Sequence, residues 1–362
     1  MNFLKKSLLF LFGLSFSNAE SQVISIEQVY DFDVAAIESI WSRNEVPQFI
    51  SPIRYGVDIY KVVYLTSWVD NSPIKASGLY YVPKSKEPFP TLIYNHGTRI
   101  KKERSNKIKG ENIISMIFAV DGYAVIAPDY IGLGEGEKEH LYCNVESEAR
   151  ASIDFLNVID QINRTIARER NEKLFITGYS QGGHAAMSTH MVLERDYADI
   201  HPVTASSPMS GPYDIYDIQS KVMYTSYEQP HYLPYLLIGL NIAYDIWPEK
   251  EFFDKFKTPY DTIIPKLFDG KNNVRKINRA LPEVPIQMLD DSLLKKYASN
   301  PDFILHKYIK LNTIFDWKPK APIQLCYCKS DQEVLYENSI LAYNTMKKNG
   351  ATNVRLNHQE IS

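Results

Sequence analysis

Residues 175–186 read Phe-Ile-Thr-Gly-Tyr-Ser-Gln-Gly-Gly-His-Ala-Ala. Within them, Gly178-x-Ser180-x-Gly182 stands where an apolar run, Leu174 to Thr177, meets a helical pattern that starts near Gln181. A serine is a weak nucleophile until its hydroxyl is held exposed beside a base. A sharp strand-to-helix turn does the exposing, and glycines on either side let the neighbouring backbones close in. The helix that begins there points its first N–H groups at developing negative charge, which makes the Gln181 N–H the natural oxyanion donor. The chemistry indicated is acyl transfer through a covalent serine intermediate. The blander reading is a glycine-rich turn in an inert α/β protein. It leaves unexplained the further glycine Gly183, and the small Ala185 and Ala186 where a helix must pack on a sheet.

The surrounding pattern supplies the elements that must hold this turn. A helical-looking start, Ile26 to Trp41, is followed by two strands rich in Val, Ile and Tyr, Val57 to Trp68 and Ala76 to Val82. The turn Asp70-Asn71-Ser72-Pro73 joins them as a hairpin. From Thr91 onward short apolar strands alternate with amphipathic helices. Thr91 to Tyr94 precedes a helix near Ile113 to Val120, and Ala124 to Ala127 precedes a longer one, Val145 to Ala167. That helix places Ala149, Ile153, Leu156, Ile159 and Ile162 on one stripe. A strand at Val203 to Ala205 follows the helix that runs from Gln181 to about Leu193. Such alternation predicts a mostly parallel sheet with helices on both faces. The rhythm breaks from about 214 to 318, where helical, Pro-interrupted and aromatic-rich stretches predict an inserted helical cap. It returns with a strand at Ile323 to Tyr327, a helix near Glu337 to Lys348 and a last strand, Asn353 to Leu356.

With its Gly-Tyr-Ser-Gln-Gly-Gly turn, the chain resembles the α/β-hydrolase superfamily, and more closely its secreted lipase and esterase branch. The resemblance runs from about Val57 to Tyr213 and resumes at Trp317. It implies an α/β-hydrolase fold. Asn95-His96-Gly97-Thr98 lies where that family places its other oxyanion loop, so the resemblance makes the Thr98 N–H the second oxyanion donor and His96 structural. Pro128-Asp129-Tyr130-Ile-Gly132-Leu-Gly134 matches the loop after the family's fourth strand. It is no dinucleotide fingerprint, because Glu137 stands where the third glycine is required.

The family order is Ser, then acid, then His. The acid follows the next-to-last strand, where Cys328-Lys-Ser-Asp331-Gln332-Glu333 offers Asp331, with Glu333 as the fallback. His358 is the one histidine after Asp331. It has the right order but follows the last strand almost at once, where the family carries its histidine several residues further on. The base is therefore His358 or a histidine missing from a truncated chain, or the chain is a diverged member that lost it. His184 should be buried behind the turn. No His-Glu-x-x-His and no Cys-x-x-Cys occurs, so neither a metal nor any other cofactor is expected.

Composition narrows the rest. The chain has 362 residues, 44% hydrophobic, with 40 basic against 43 acidic side chains. That is ordinary globular composition with no basic excess, which argues against nucleic acid as a partner. Three cysteines cannot make a disulfide framework. Lys5 and Lys6, the apolar run Ser7 to Phe16 and small residues at Ser17 and Ala19 read as a signal peptide over 1–19. The expected protein is exported, secreted or periplasmic, with no transmembrane segment once that peptide is removed. The function expected is cleavage of a small-molecule or lipid carboxylic ester through an acyl-enzyme on Ser180. The alternatives are a peptidase of the same fold and a catalytically inactive binding protein.

Overall fold

The computed structural model describes residues 21–47, 49, 51–103 and 107–359, so the expected signal peptide lies outside the described residues. Nine strands form one sheet: β1 (Val23–Phe32), β2 (Val57–Ser67), β3 (Pro73–Pro83), β4 (Phe89–Asn95), β5 (Ala124–Pro128), β6 (Arg170–Tyr179), β7 (Ala205–Met209), β8 (Ile323–Cys328) and β9 (Val354–Gln359). Their order across the sheet is β1-β2-β3-β5-β4-β6-β7-β8-β9. Pairings from β1 to β5 through β3 are antiparallel, and those from β5 through β4 to β9 are parallel.

Helices cover both faces, as a parallel sheet requires. On one side α1 (Val34–Arg43) and α2 (Glu111–Val120) bury Ile37, Trp41, Met116 and Val120. On the other, α3 (Val145–Thr165) packs against β2 and β5, and α4 (Gln181–Asp196) against β4, β6 and β7. The last helix, α11 (Glu337–Lys348), adds Ala342 and Met346 to that same side.

Between β7 and β8 lies an insertion of helices: α5 (Tyr232–Tyr244), α6 (Glu249–Phe253), α7 (Tyr260–Leu267), α8 (Val274–Asn278), α9 (Asp291–Ser299) and α10 (Ile304–Leu311), with 3₁₀ turns at Gln219–Tyr224 and Pro285–Met288. Its hydrophobic cluster includes Leu240, Phe252, Ile264, Ile277 and Met288, and takes in Ile100, Tyr142 and Cys143 from loops of the sheet domain. The insertion leaves and rejoins the sheet at neighbouring points, where Ile314 N–H donates to Tyr213 O at 2.8 Å.

Three sequence expectations need correction. The stretch from Ile26 is not helical throughout: residues 23–32 form β1, and the helix begins only after the Asp33 N-cap. Two register shifts in β1, between Val23 and Ser25 and between Gln28 and Tyr30, explain the misreading. Each bulge adds a residue, so the partly buried positions fall at 23, 26, 29, 30 and 32, a helical spacing on a strand. β7 starts where its predicted strand ended, because Ala-Ser-Ser-Pro-Met carries little hydrophobic signal. Finally, β9 does not stop at Leu356 but continues to Gln359.

Candidate active site

Ser180 sits between β6 and α4 with φ 60° and ψ −123°, a conformation that costs an L-residue roughly 1–3 kcal/mol. The turn is held by Ser180 N–H donating to Met209 O at 3.0 Å, and by the Gly183 and His184 amides donating to Ser180 O at 2.8 and 3.2 Å. It is also squeezed against β4. A Cβ on Gly182 would collide with the Asn95 carbonyl oxygen, and one on Gly178 would collide with Gly182 O. Gln181 is the first residue of α4, so its N–H lies among those an α-helix leaves without an intrahelical acceptor.

The loop carrying Thr98 is pinned beside this turn. Gly97 N–H donates to Glu111 Oε1 at 2.8 Å, at the start of α2. The buried His96 ring faces two carbonyl oxygens, Gly97 O at 2.6 Å from Nδ1 and Asp129 O at 3.1 Å from Nε2. His96 thus holds the loop in place, a structural role. A Cβ on Gly97 would lie 3.5 Å from Tyr179 O, which places the loop against the serine turn. The Thr98 hydroxyl donates to Tyr142 Oη at 3.3 Å.

Ser180 and Tyr142 open onto a cavity of about 110 Å³ whose walls are mainly Leu, Ile and Met from the insertion, among them Leu233, Leu237, Leu293 and Ile309. Glu333 and Val334, from the loop after β8, complete it. That loop is set by Asp331, whose Oδ1 accepts from the Glu333 and Val334 amides at 2.9 and 3.0 Å. Tyr179 senses it: burial raises the Tyr179 pKa first, and the Asp331 and Glu333 carboxylates raise it further. Glu333 is committed elsewhere. Its carboxylate accepts from Gln229 Nε2 at 2.9 Å and Tyr232 Oη at 3.1 Å, and its carbonyl accepts from Gln219 Nε2 and Tyr227 Oη. The structure therefore gathers Ser180, Gln181, Thr98, Asp331 and Glu333 around one end of the sheet.

His358 is placed differently. It lies inside β9, in register with Tyr327 of β8, and not in a loop beyond the strand. Its exposed ring stacks on Tyr327 with centroids 6.0 Å apart, and Tyr327 in turn stacks on Tyr336. Among the described residues, no side chain hydrogen-bonds the Ser180 hydroxyl.

Sequence pattern assigns His184 no role beyond burial and singles out neither Glu148 nor His140. Behind the turn, Glu148 of α3 is fully buried, paired with no Lys or Arg among the described residues, and His184 Nδ1 lies 2.7 Å from its Oε2. The available signal was a glutamate between Val145 and Ser152, in step with the buried stripe of α3. The Cys143 Sγ, Glu148 and His184 ligand atoms all lie within 4.8 Å of one another. Both His184 nitrogens are already engaged, with Nε2 at 3.0 Å from Asn312 O. Burial, reinforced by Glu148, pushes the Cys143 thiol well above its ordinary range. Hydrogen bonds account for this cluster without an ion.

The fold and this site can be set against known proteins. A hydrolase candidate from Legionella pneumophila is 28% identical with a TM-score of 0.84, covering 94% of this chain and 92% of its own. The rice cell wall degrading esterase LipA from Xanthomonas oryzae is 23% identical with a TM-score of 0.83, covering 94% and 91%. Candida antarctica lipase A in its closed state is 14% identical with a TM-score of 0.70, covering 94% and 77%. No family model and no curated protein matches the chain. The chain has the α/β-hydrolase fold, and its structural neighbours are hydrolases, esterases and a lipase.

Proposed function

We propose that this chain is a serine hydrolase of carboxylic esters, with the substrate's acyl group seated under the helical insertion. The observation that carries the reading is Ser180, held in a strained positive-φ conformation at the head of α4 and opening onto a cavity with mainly apolar walls. In the reaction the Ser180 hydroxyl loses its proton to a base as Oγ attacks the acyl carbon. The resulting oxyanion is met by the Gln181 and Thr98 N–H groups. The C–O bond breaks as the base returns the proton to the leaving alcohol. Water then attacks the acyl-enzyme, gives its proton to the same base, and releases the acid and a free serine. Asp331 is the acid that orients the base, because its loop borders the cavity while the Glu333 carboxylate is tied to the insertion. The apolar walls favour an ester with an aliphatic acyl chain over a peptide, since the lining carboxylate Glu333, which could meet a substrate amine, already accepts from Gln229 and Tyr232.

His358 is the proposed base, and it would serve only if its end of β9 left Tyr327. Fluorophosphonate labelling and p-nitrophenyl butyrate turnover test the reading. Both should vanish in Ser180→Ala, and a peptide anilide should not be cleaved. Loss in His358→Ala as well assigns the base to His358, whereas retention assigns it elsewhere. A folded protein that neither labels nor turns over ester overturns the reading. The segment 1–19 is proposed to direct export, and the N-terminus of the mature protein checks it. Among the described residues no helix is long and apolar enough to cross a membrane.

A further inference from the structure

We propose that Glu148 and His140 are positioning residues for the oxyanion site, acting through the side chain of Gln181. The inference rests on the reading of Ser180 as nucleophile and the Gln181 N–H as oxyanion donor. Gln181 is fully buried, and its carboxamide nitrogen lies 2.8 Å from both Glu148 Oε1 and His140 Nε2. The protons of this network can be assigned from its acceptors. His140 Nδ1 faces Ile131 O at 3.1 Å, an acceptor only, so the ring carries its proton there and Nε2 is left to accept. Burial lowers the His140 pKa, which keeps the ring neutral. The Glu148 carboxylate accepts as well. Both hydrogens of the Gln181 amide are therefore spent, one on α3 and one on the loop before it.

The orientation is expensive and still adopted. Gln181 Oε1 is buried with no partner among the described residues, a standing cost for an amide oxygen. Turning the amide over would aim that oxygen at two acceptors, which is worse. Glu148 carries a further cost, because among the described residues no Lys or Arg pairs with this buried carboxylate and it relies on Gln181 and His184. His184 Nε2 is anchored in turn on Asn312 O, just past α10. What this arrangement secures is the Ser180–Gln181 peptide. Its N–H has no helical acceptor, so its aim depends on where Gln181 is held. Clamping the side chain from two elements fixes that aim before a substrate arrives, which is how a preorganised donor gains its effect.

A merely structural buried pair between α3 and α4 would affect stability and leave the transition state alone. The variants separate these roles. Gln181→Met keeps the backbone N–H and the bulk but removes both donors. His140→Phe keeps a ring stacked on Tyr130 and edge-on to Tyr142 while removing the acceptor. Glu148→Gln still accepts from Gln181, and its amide can donate to His184 Nδ1, whereas Glu148→Ala does neither. With p-nitrophenyl butyrate, Gln181→Met and Glu148→Ala should lose about 10–100-fold in kcat with KM within about twofold. Fluorophosphonate labelling of Ser180 should slow in parallel. His140→Phe should lose less, and Glu148→Gln should recover most of the loss seen with Ala. The proposal is overturned if folded Gln181→Met or His140→Phe keeps wild-type kcat and labelling rate. It is equally overturned if Glu148→Gln falls as far as Glu148→Ala. A wild-type protein that shows neither turnover nor labelling of Ser180 instead defeats the nucleophile reading, and this inference with it.

Discussion

The Tyr232 hydroxyl donates to Glu333 Oε2 at 3.1 Å, so the start of α5 is bolted to the loop that carries Asp331. With Gln229 on the other carboxylate oxygen, the acid loop and the insertion share one fastening. Two carboxylates two residues apart therefore have different partners: Asp331 accepts from the amides of its own loop, and Glu333 from the insertion. In Asp331→Asn the amide oxygen can still accept from the Glu333 and Val334 N–H groups, so the loop and the stability should persist. Ester turnover should fall by roughly 10³–10⁴, as when a triad acid loses its charge. Glu333→Ala should do the reverse, destabilising by about 2 kcal/mol in chemical denaturation while retaining a measurable kcat.

Strain at Ser180 gives a prediction that separates stability from activity. Glycine adopts a positive φ without a Cβ penalty. Ser180→Gly and Ser180→Ala should both be inactive, yet the glycine variant should be more stable than the alanine one by about 1 kcal/mol. Equal denaturation midpoints would show that the turn is not strained.

Gly182 has no room for a methyl group because Asn95 O lies where its Cβ would go. Neither atom belongs to a flexible side chain, so the helix would have to retreat from β4. Gly182→Ala should cost roughly 3 kcal/mol or more, read from thermal or denaturant unfolding.

Acid should destabilise the insertion. His231 Nδ1 donates to Asn278 Oδ1 at 2.8 Å, while its Nε2 is buried with no partner among the described residues. Burial pushes its pKa down from 6.5 to about 4. Between those values the unfolded chain takes up a proton that the folded chain refuses. The stabilising contribution is therefore complete above pH 6.5 and is lost as the pH falls towards 4, by at most about 1.4 kcal/mol per pH unit. His231→Gln, which still donates to Asn278 but does not titrate, should flatten the pH dependence of unfolding. His140 shifts in the same direction, so some slope should survive.

The sheet, its flanking helices and the serine turn were legible because each depends on local signals. Leu174 to Thr177 is an apolar strand, Gly178 and Gly182 mark the close approach, and the stripe from Ala149 to Ile162 is a buried helix face. β1 was not legible, because its bulges mimic helical spacing, and β7 was not, because small and polar residues fill it. The end of β9 was missed for the opposite reason. Val354, Leu356 and His358 alternate as a strand should, but a histidine at the last position gives no hydrophobic signal. The clamp on Gln181 was out of reach for a different reason. Glu148, His140 and Gln181 are 33 and 41 residues apart in pairs that only the packing of α3 against α4 brings together.

Because Ile314 N–H closes on Tyr213 O at 2.8 Å, everything between those two residues is a loop already tied at its neck. For a flexible loop, each doubling of length adds only about 0.6 kcal/mol of closure entropy. A chain built this way can exchange or resize the pocket-forming segment as a module while leaving the sheet untouched. Besides the fastening on Glu333, the exchange carries a condition at the neck. The incoming module must end in a backbone carbonyl where Asn312 O now meets His184, or the hydrolytic scaffold inherits a new pocket with a loosened turn.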